Sequence, residues 1–88
     1  MSKRHTRRKK SLPTINSMVT LQSPHKGEGR VLVGLFPDTD EGPEFKNGTV
    51  ALVVDHRELQ DGEYVPMILV EGVVGWIFND EWIPVEGP

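Results

Sequence analysis

The feature that most constrains the fold of this chain is the shortness of its apolar runs. Each run ends near a glycine, proline, asparagine or aspartate, and the chain shows little of the 3–4-residue periodicity that an amphipathic helix requires. Runs rich in β-branched and aromatic residues are typical of strands. Five such runs predict strands, at 17–22, 49–54, 64–70, 73–78 and 82–85, and a further apolar run spans 30–36.

The segments between these runs contain turn signals. Asn47-Gly48, Asp61-Gly62 and Glu71-Gly72 predict tight turns between neighbouring strands. The segment 37–48 is rich in Asp, Glu, Gly and Pro and predicts an exposed loop, while 79–81 predicts a single helical turn. We therefore expect an all-β fold in the form of a small five-stranded barrel.

Two of the predicted strands have features that bear on their position. The run 49–54 is apolar on both faces, which is typical of a buried strand. Pro66 lies within the run 64–70, and because proline has no N–H to donate, it favours an edge position or an irregular start.

The charge of the chain is unevenly distributed. Its 88 residues allow one domain, with a formal net charge of -3. The residues after Lys10 contain four basic and all thirteen acidic residues, a formal charge of −9. The first ten residues contain no acid and six cations: Lys3, Arg4, Arg7, Arg8, Lys9 and Lys10. We expect residues 1–14 to be a flexible basic arm and linker, and residues 15–88 to be the barrel domain.

The six cations of the arm are the predicted polyanion-binding residues. They can neutralise about six phosphates, but the arm has no aromatic residue for base stacking, so binding would be non-specific. Two alternatives remain open: the arm could dock on an acidic protein surface, of its own chain or another, or act as a solubilising tail. No apolar anchor accompanies it, so we expect no membrane binding.

Trp76, Phe78 and Trp82 are the predicted partner-binding residues. Strand alternation places Trp76 and Phe78 on one face and Ile77 on the other. If Ile77 points inward, the two aromatic rings form a contact patch. The alternative is that all three aromatic side chains pack in or around the core.

Other chemistry is not supported by the sequence. The chain has no cysteine, and its three histidines do not have metal-ligand spacing. Asp38-Thr39-Asp40-Glu41-Gly42 lacks the ligand spacing of a calcium loop. No nucleophile, base and orienting group can be assembled. We expect no enzymatic activity, no cofactor and no metal. No apolar run is long enough for a signal peptide or a membrane span, so we expect a cytoplasmic or virion-associated protein that is not secreted.

The segment Gly72–Val85 carries a family resemblance. It resembles the C-terminal half of Src-homology-3-like barrels, in which Gly-x-x-Gly-aromatic-Ile/Val precedes a short turn and a final strand. The resemblance covers 48–85, with Gly75-Trp76-Ile77 its most specific part, and 51–55 loosely resembles the family's opening motif. The segment Gly72–Val85 is also similar to the C-terminal segments of short bacteriophage proteins.

The resemblance does not extend to proline-peptide binding. Val53 and Asp55 replace the two tyrosines of the opening motif, Phe78 replaces the groove proline, and Glu81 replaces a further tyrosine. A groove without those rings loses the surface on which a polyproline helix stacks.

Three functions remain open at this stage. In the first, the protein is a non-enzymatic accessory or virion-type module, whose barrel docks on a protein partner while its arm engages a polyanion. In the second, it is a nucleic-acid-binding barrel of the kind found in transcription and translation factors. In the third, it is an acidic inhibitor of a host enzyme.

Overall fold

A computed structural model describes residues 11–25, 27–35 and 41–85. These residues form an all-β protein, as the sequence predicts, and none of them is helical. The eight strands are β1 (Met18–Leu21), β2 (Arg30–Leu32), β3 (Gly34–Leu35), β4 (Glu44–Lys46), β5 (Val50–Glu58), β6 (Tyr64–Val70), β7 (Val73–Trp76) and β8 (Trp82–Pro84).

The strands form two open sheets in which all neighbours are antiparallel. The main sheet has six strands in the order β3-β7-β6-β5-β1-β8, and the small sheet pairs β2 with β4. The expected closed five-stranded barrel is therefore wrong in closure and in strand number. Strands β3 and β8 form the two edges of the main sheet, and the described residues include no ladder that joins them.

The apolar run at 30–36 contributes to both sheets, and this explains much of the difference from the prediction. Its first part, β2, pairs with β4, and its second part, β3, pairs with β7. Val33 lies between them and donates its N–H to the carbonyl of Pro43 at 2.9 Å. A change of partner within one run cannot be read from its composition.

The predicted exposed loop at 37–48 is wrong for its last part, because β4 lies within it. Phe45 pairs with Val31 across the small sheet and packs against the core. The strand is held by this packing and by backbone hydrogen bonds at both ends, from Val33 to Pro43 and from Asn47 to Gly29. The helical turn expected at 79–81 is a hydrogen-bonded turn, in which the N–H of Glu81 donates to the carbonyl of Phe78 at 3.0 Å.

One cluster of buried side chains joins the two sheets. In β1, Val19 and Leu21 point inward while Met18 points outward, which is the alternation expected of a strand with one buried face. Each fully buried aliphatic side chain contributes about 1.5–3 kcal/mol. The cluster consists of Val19, Leu21, Val31, Val33, Ala51, Val53, Ile68, Val70, Ile77 and Trp82.

The hairpin of β5 and β6 forms the centre of the main sheet, and the predicted turns around it are confirmed. Pro66 is fully buried in β6, which is an interior strand, so the edge position suggested by proline is wrong. Residues 51–55 loosely match the motif at the start of Src-homology-3-like barrels. Here they lie in the fifth strand, and the first described strand of the chain is β1. Glu71 and Gly72 both have positive φ, at 50° and 83°, as a type I′ turn between β6 and β7 requires.

Gly75 in β7 is a position where the structure leaves no room for a side chain. A methyl group there would overlap the carbonyl oxygen of Gly34 and a methyl group of Val33. We expect Gly75→Ala to lower the free energy of unfolding by about 1–3 kcal/mol, because neighbouring backbone would have to move. Urea denaturation measures the change. Gly29→Ala is the control, since its added methyl meets nothing within 4 Å; equal midpoints for the two variants would contradict the prediction.

Candidate protein-interaction face

The side of the main sheet that points away from the core carries a continuous apolar row. Register pairs Met18 with Leu52, Leu52 with Leu69, and Leu69 with Val74, so these side chains lie next to one another across four strands. Met18, Leu69 and Val74 are exposed and Leu52 is half-buried. With strands about 4.8 Å apart, the row is about 14 Å long.

A second row extends this apolar surface towards β8. Thr20 pairs with Val50 on one side and with Ile83 on the other, and Val50 and Ile83 are both exposed. We call the combined surface the outer face; it consists of Met18, Val50, Leu52, Leu69, Val74 and Ile83. Contiguous apolar surface of this kind is typical of a contact site, whereas singly exposed apolar residues need no explanation.

The charged groups near the outer face are mainly acidic. Asp55 pairs with Met67 in the row beyond Leu69, and Glu71 lies in the turn directly after Leu69 and Val70. Both carboxylates are exposed. The nearest described cation on β5 is the half-buried Arg57, whereas Arg30 and Lys46 lie in the small sheet.

Trp76 and Phe78 meet at one corner of the outer face. Trp76 pairs with Met67, and its ring lies 5.1 Å from that of Phe78 in an edge-to-face arrangement. Ile77 is fully buried, so the predicted alternation is confirmed. Even so, Trp76 is only 6% exposed whereas Phe78 is 40% exposed. The indole Nε1 of Trp76 is buried and finds no hydrogen-bond partner among the residues that the structure describes.

Trp82 lies on the opposite side of the sheet from this corner. It belongs to the core cluster and is 8% exposed. Its indole Nε1 donates to Oδ1 of Asn79 at 2.7 Å, which fixes the turn before β8. Of the three predicted partner-binding residues, only Phe78 therefore offers substantial surface, and Trp82 closes the core.

Sequence reasoning missed the outer face, although its signal was present. The run 49–54 is apolar on both faces and indicated a strand buried on both sides. In the structure Ala51 and Val53 are buried, while Val50 is exposed on the other side. The apolar positions Leu69 and Val74 carry the same signal, but only the register shows that they meet.

The predicted polyanion-binding residues Lys3, Arg4, Arg7, Arg8, Lys9 and Lys10 lie outside the described residues. The first described residue is Ser11, and Pro13, two residues later, is buried. The carbonyl oxygen of Pro13 lies 2.7 Å from Nε2 of His56, a hydrogen bond in which the ring nitrogen donates. The arm is thus attached beside β5.

Glu81 is a half-buried carboxyl close to the Trp76–Phe78 corner. Its Oε1 accepts a hydrogen bond from the N–H of Phe78 at 3.0 Å. Burial raises the pKa of Glu81, and the nearby carboxylates Asp80 and Glu28 raise it further, against the opposing effects of that hydrogen bond and of His25.

The raised pKa of Glu81 predicts a pH dependence of stability. The folded state holds this proton more tightly than the unfolded state, so stability increases as the pH falls through the raised pKa towards 4.5, the ordinary pKa of glutamate. We expect Glu81→Gln to raise the midpoint of urea denaturation at neutral pH. This increase over the wild-type midpoint should become smaller as the pH is lowered. Glu71→Gln, at an exposed carboxyl, is the control. A gain that grows on acidification would contradict the prediction.

The described residues offer no other obvious chemistry. Among them, no group of three or more His, Asp or Glu side chains is arranged to hold a metal ion. Nor do they include a helix that is long and apolar enough to cross a bilayer. Comparisons with protein-family models, with curated proteins and with solved structures return no match to this chain. The outer face and the uneven charge distribution are the two features of the chain that bear on its function.

Proposed function

We propose that this protein is a non-enzymatic interaction module with two separate binding parts. The outer face docks on a protein partner, and the basic N-terminal arm engages a polyanion. The observation that carries the proposal is the apolar row across four neighbouring strands, with Leu69 and Val74 exposed at its centre and end.

The size of the outer face indicates how strongly it can bind. A surface of two rows, one across four strands and one across three, covers on the order of 300 Å². Removing that area from water is worth about 7 kcal/mol at 25 cal/mol per Å². Association costs about 4–15 kcal/mol, so the face alone supports weak, reversible binding. A second contact through the arm would strengthen it by raising the effective concentration.

The charge distribution supports the assignment of polyanion binding to the arm and of protein docking to the outer face. The chain after Lys10 has a formal charge of −9, which repels phosphate, whereas the six cations of the arm attract it. Pro13, which follows the six cations in the sequence, is anchored to His56 of β5. The two parts can therefore engage different partners at once.

We also propose that the chain has a Src-homology-3-like topology and that the protein is cytoplasmic or virion-associated. Support for the path comes from β8, which returns after the Phe78–Glu81 turn to pair with β1. The setting is supported by the resemblance of 72–85 to short bacteriophage proteins.

The arm predicts a salt-dependent affinity for nucleic acid. In full-length protein, we expect binding of random single-stranded RNA or DNA with a log–log salt slope of about −4, measured by fluorescence anisotropy. Changing the six arm cations to glutamine should abolish it. The control is Arg30→Gln with Lys46→Gln, which removes cations from the small sheet. Binding that survives in the arm variant and is lost in Phe78→Ala would instead favour a nucleic-acid-binding barrel.

The outer face predicts a specific protein contact at Val74. A photo-crosslinking residue placed there should form discrete protein adducts in a lysate of the source organism. Leu69→Lys should remove them by replacing apolar surface with charge, and Leu32→Lys is the control. These two leucines are matched, since both lie in strands and are 37% and 38% exposed. Adducts that persist in Leu69→Lys would count against docking through this face.

A further inference from the structure

The ends of this chain are unsuited to cover its outer face. Residues 1–10 contain one apolar side chain, Met1, and residues 86–88 are Glu86, Gly87 and Pro88. Neither segment has the row of apolar side chains needed to pack against Leu69 and its neighbours. Neither of these two segments is therefore suited to be the occupant.

A second copy of the same chain is also a poor occupant. Two outer faces packed together would bury on the order of 600 Å² in total, which is no more than a partner helix would bury on the same face, so the area does not favour a second copy. Each copy would also bring Asp55 and Glu71 towards the same groups of the other copy. Like charges at a contact of this size oppose association.

An extended peptide fits the face less well than a helix. Strands can add only at the edge of a sheet, where backbone groups are free to pair. Laid across the outer face, an extended peptide would place its N–H and C=O groups against apolar side chains without partners. A helix satisfies its own backbone groups and can present one apolar side.

The dimensions and charges define this helix further. The row from Met18 to Val74 is about 14 Å long, which corresponds to about ten helical residues. The exposed Asp55 lies one row beyond Leu69 along the strand direction, and the exposed Glu71 lies on the opposite side of Leu69, level with Val50 at the end of the second row. They favour lysine or arginine at the borders of the helix's apolar side and disfavour acidic residues there.

We propose that the outer face binds an amphipathic helix of a partner protein, apolar on the docking side and flanked by lysine or arginine. This inference rests on the proposed function, because it names the partner that the protein-docking face accepts. It excludes an anionic membrane as the main target, since the same two carboxylates would repel acidic headgroups.

The test is a selection from a displayed library of random peptides of about 16 residues against the full-length protein. Peptides that also bind Leu69→Lys are removed by counter-selection, and the survivors are measured by titration with wild type and with Leu32→Lys. We expect survivors with apolar residues at i, i+3, i+4 and i+7 and with flanking cations. Their affinity should fall about tenfold or more in Leu69→Lys and stay unchanged in Leu32→Lys.

Charge variants test the acidic borders in the same titrations. Asp55→Asn keeps the oxygen that accepts from the N–H of His56 but removes the charge. It should weaken the selected peptides, and the loss should shrink as salt is added. Glu44→Gln, at an exposed carboxyl of the small sheet, is the control and should leave affinity unchanged.

The other outcomes separate this inference from the proposed function. Selected peptides in which apolar and polar residues strictly alternate, or whose flanking residues are acidic, would overturn the helix proposal. They would leave the proposal of protein docking intact. Leu69-dependent self-association in sedimentation, or Leu69-dependent binding to vesicles of phosphatidylcholine and phosphatidylserine, would replace the helix with a second copy or a membrane. If no Leu69-dependent peptide emerges, the inference fails; if the Val74 crosslinks also fail, protein docking fails with it.

Discussion

The structure depends on the pairing of β5 with β1 along one side and with β6 along the other. This pairing places Ala51 and Val53 in the core beside Val19 and Ile68. The same register necessarily brings Met18, Leu52 and Leu69 together on the opposite side. A one-residue slip of β5 would exchange the two sets. Because one register determines both surfaces, the outer face cannot be altered by slippage without loss of the core.

The sequence predicted the strands better than their arrangement. The apolar run and its flanking turn residues predicted β6 with both ends as observed, and they identified the Glu71-Gly72 hairpin. They could not show that the run at 30–36 changes partner at Val33, because that depends on distant segments. The same limitation hid the outer face: Leu69 and Val74 are visible as apolar positions, but only cross-strand pairing makes them neighbours.

The aromatic residues illustrate how packing overrides alternation. Trp76 follows the predicted direction and still loses nearly all of its exposure at the corner with Phe78. Its ring meets that of Phe78 edge to face, and within the described part of the chain its indole N–H has no acceptor. Trp82, by contrast, has a partner in Asn79 and belongs to the core. Two tryptophans six positions apart therefore stabilise different parts of the fold.

The edges of the main sheet have a consequence for solubility. Strand β3 has 2 residues and β8 has 3, and Pro84 in β8 has no N–H to donate. Long, flat edges act as templates on which further chains add and grow into fibres. These short edges offer little template, so a protein with an open apolar face is protected from stacking edge to edge. Its associations can then remain finite complexes instead of polymers.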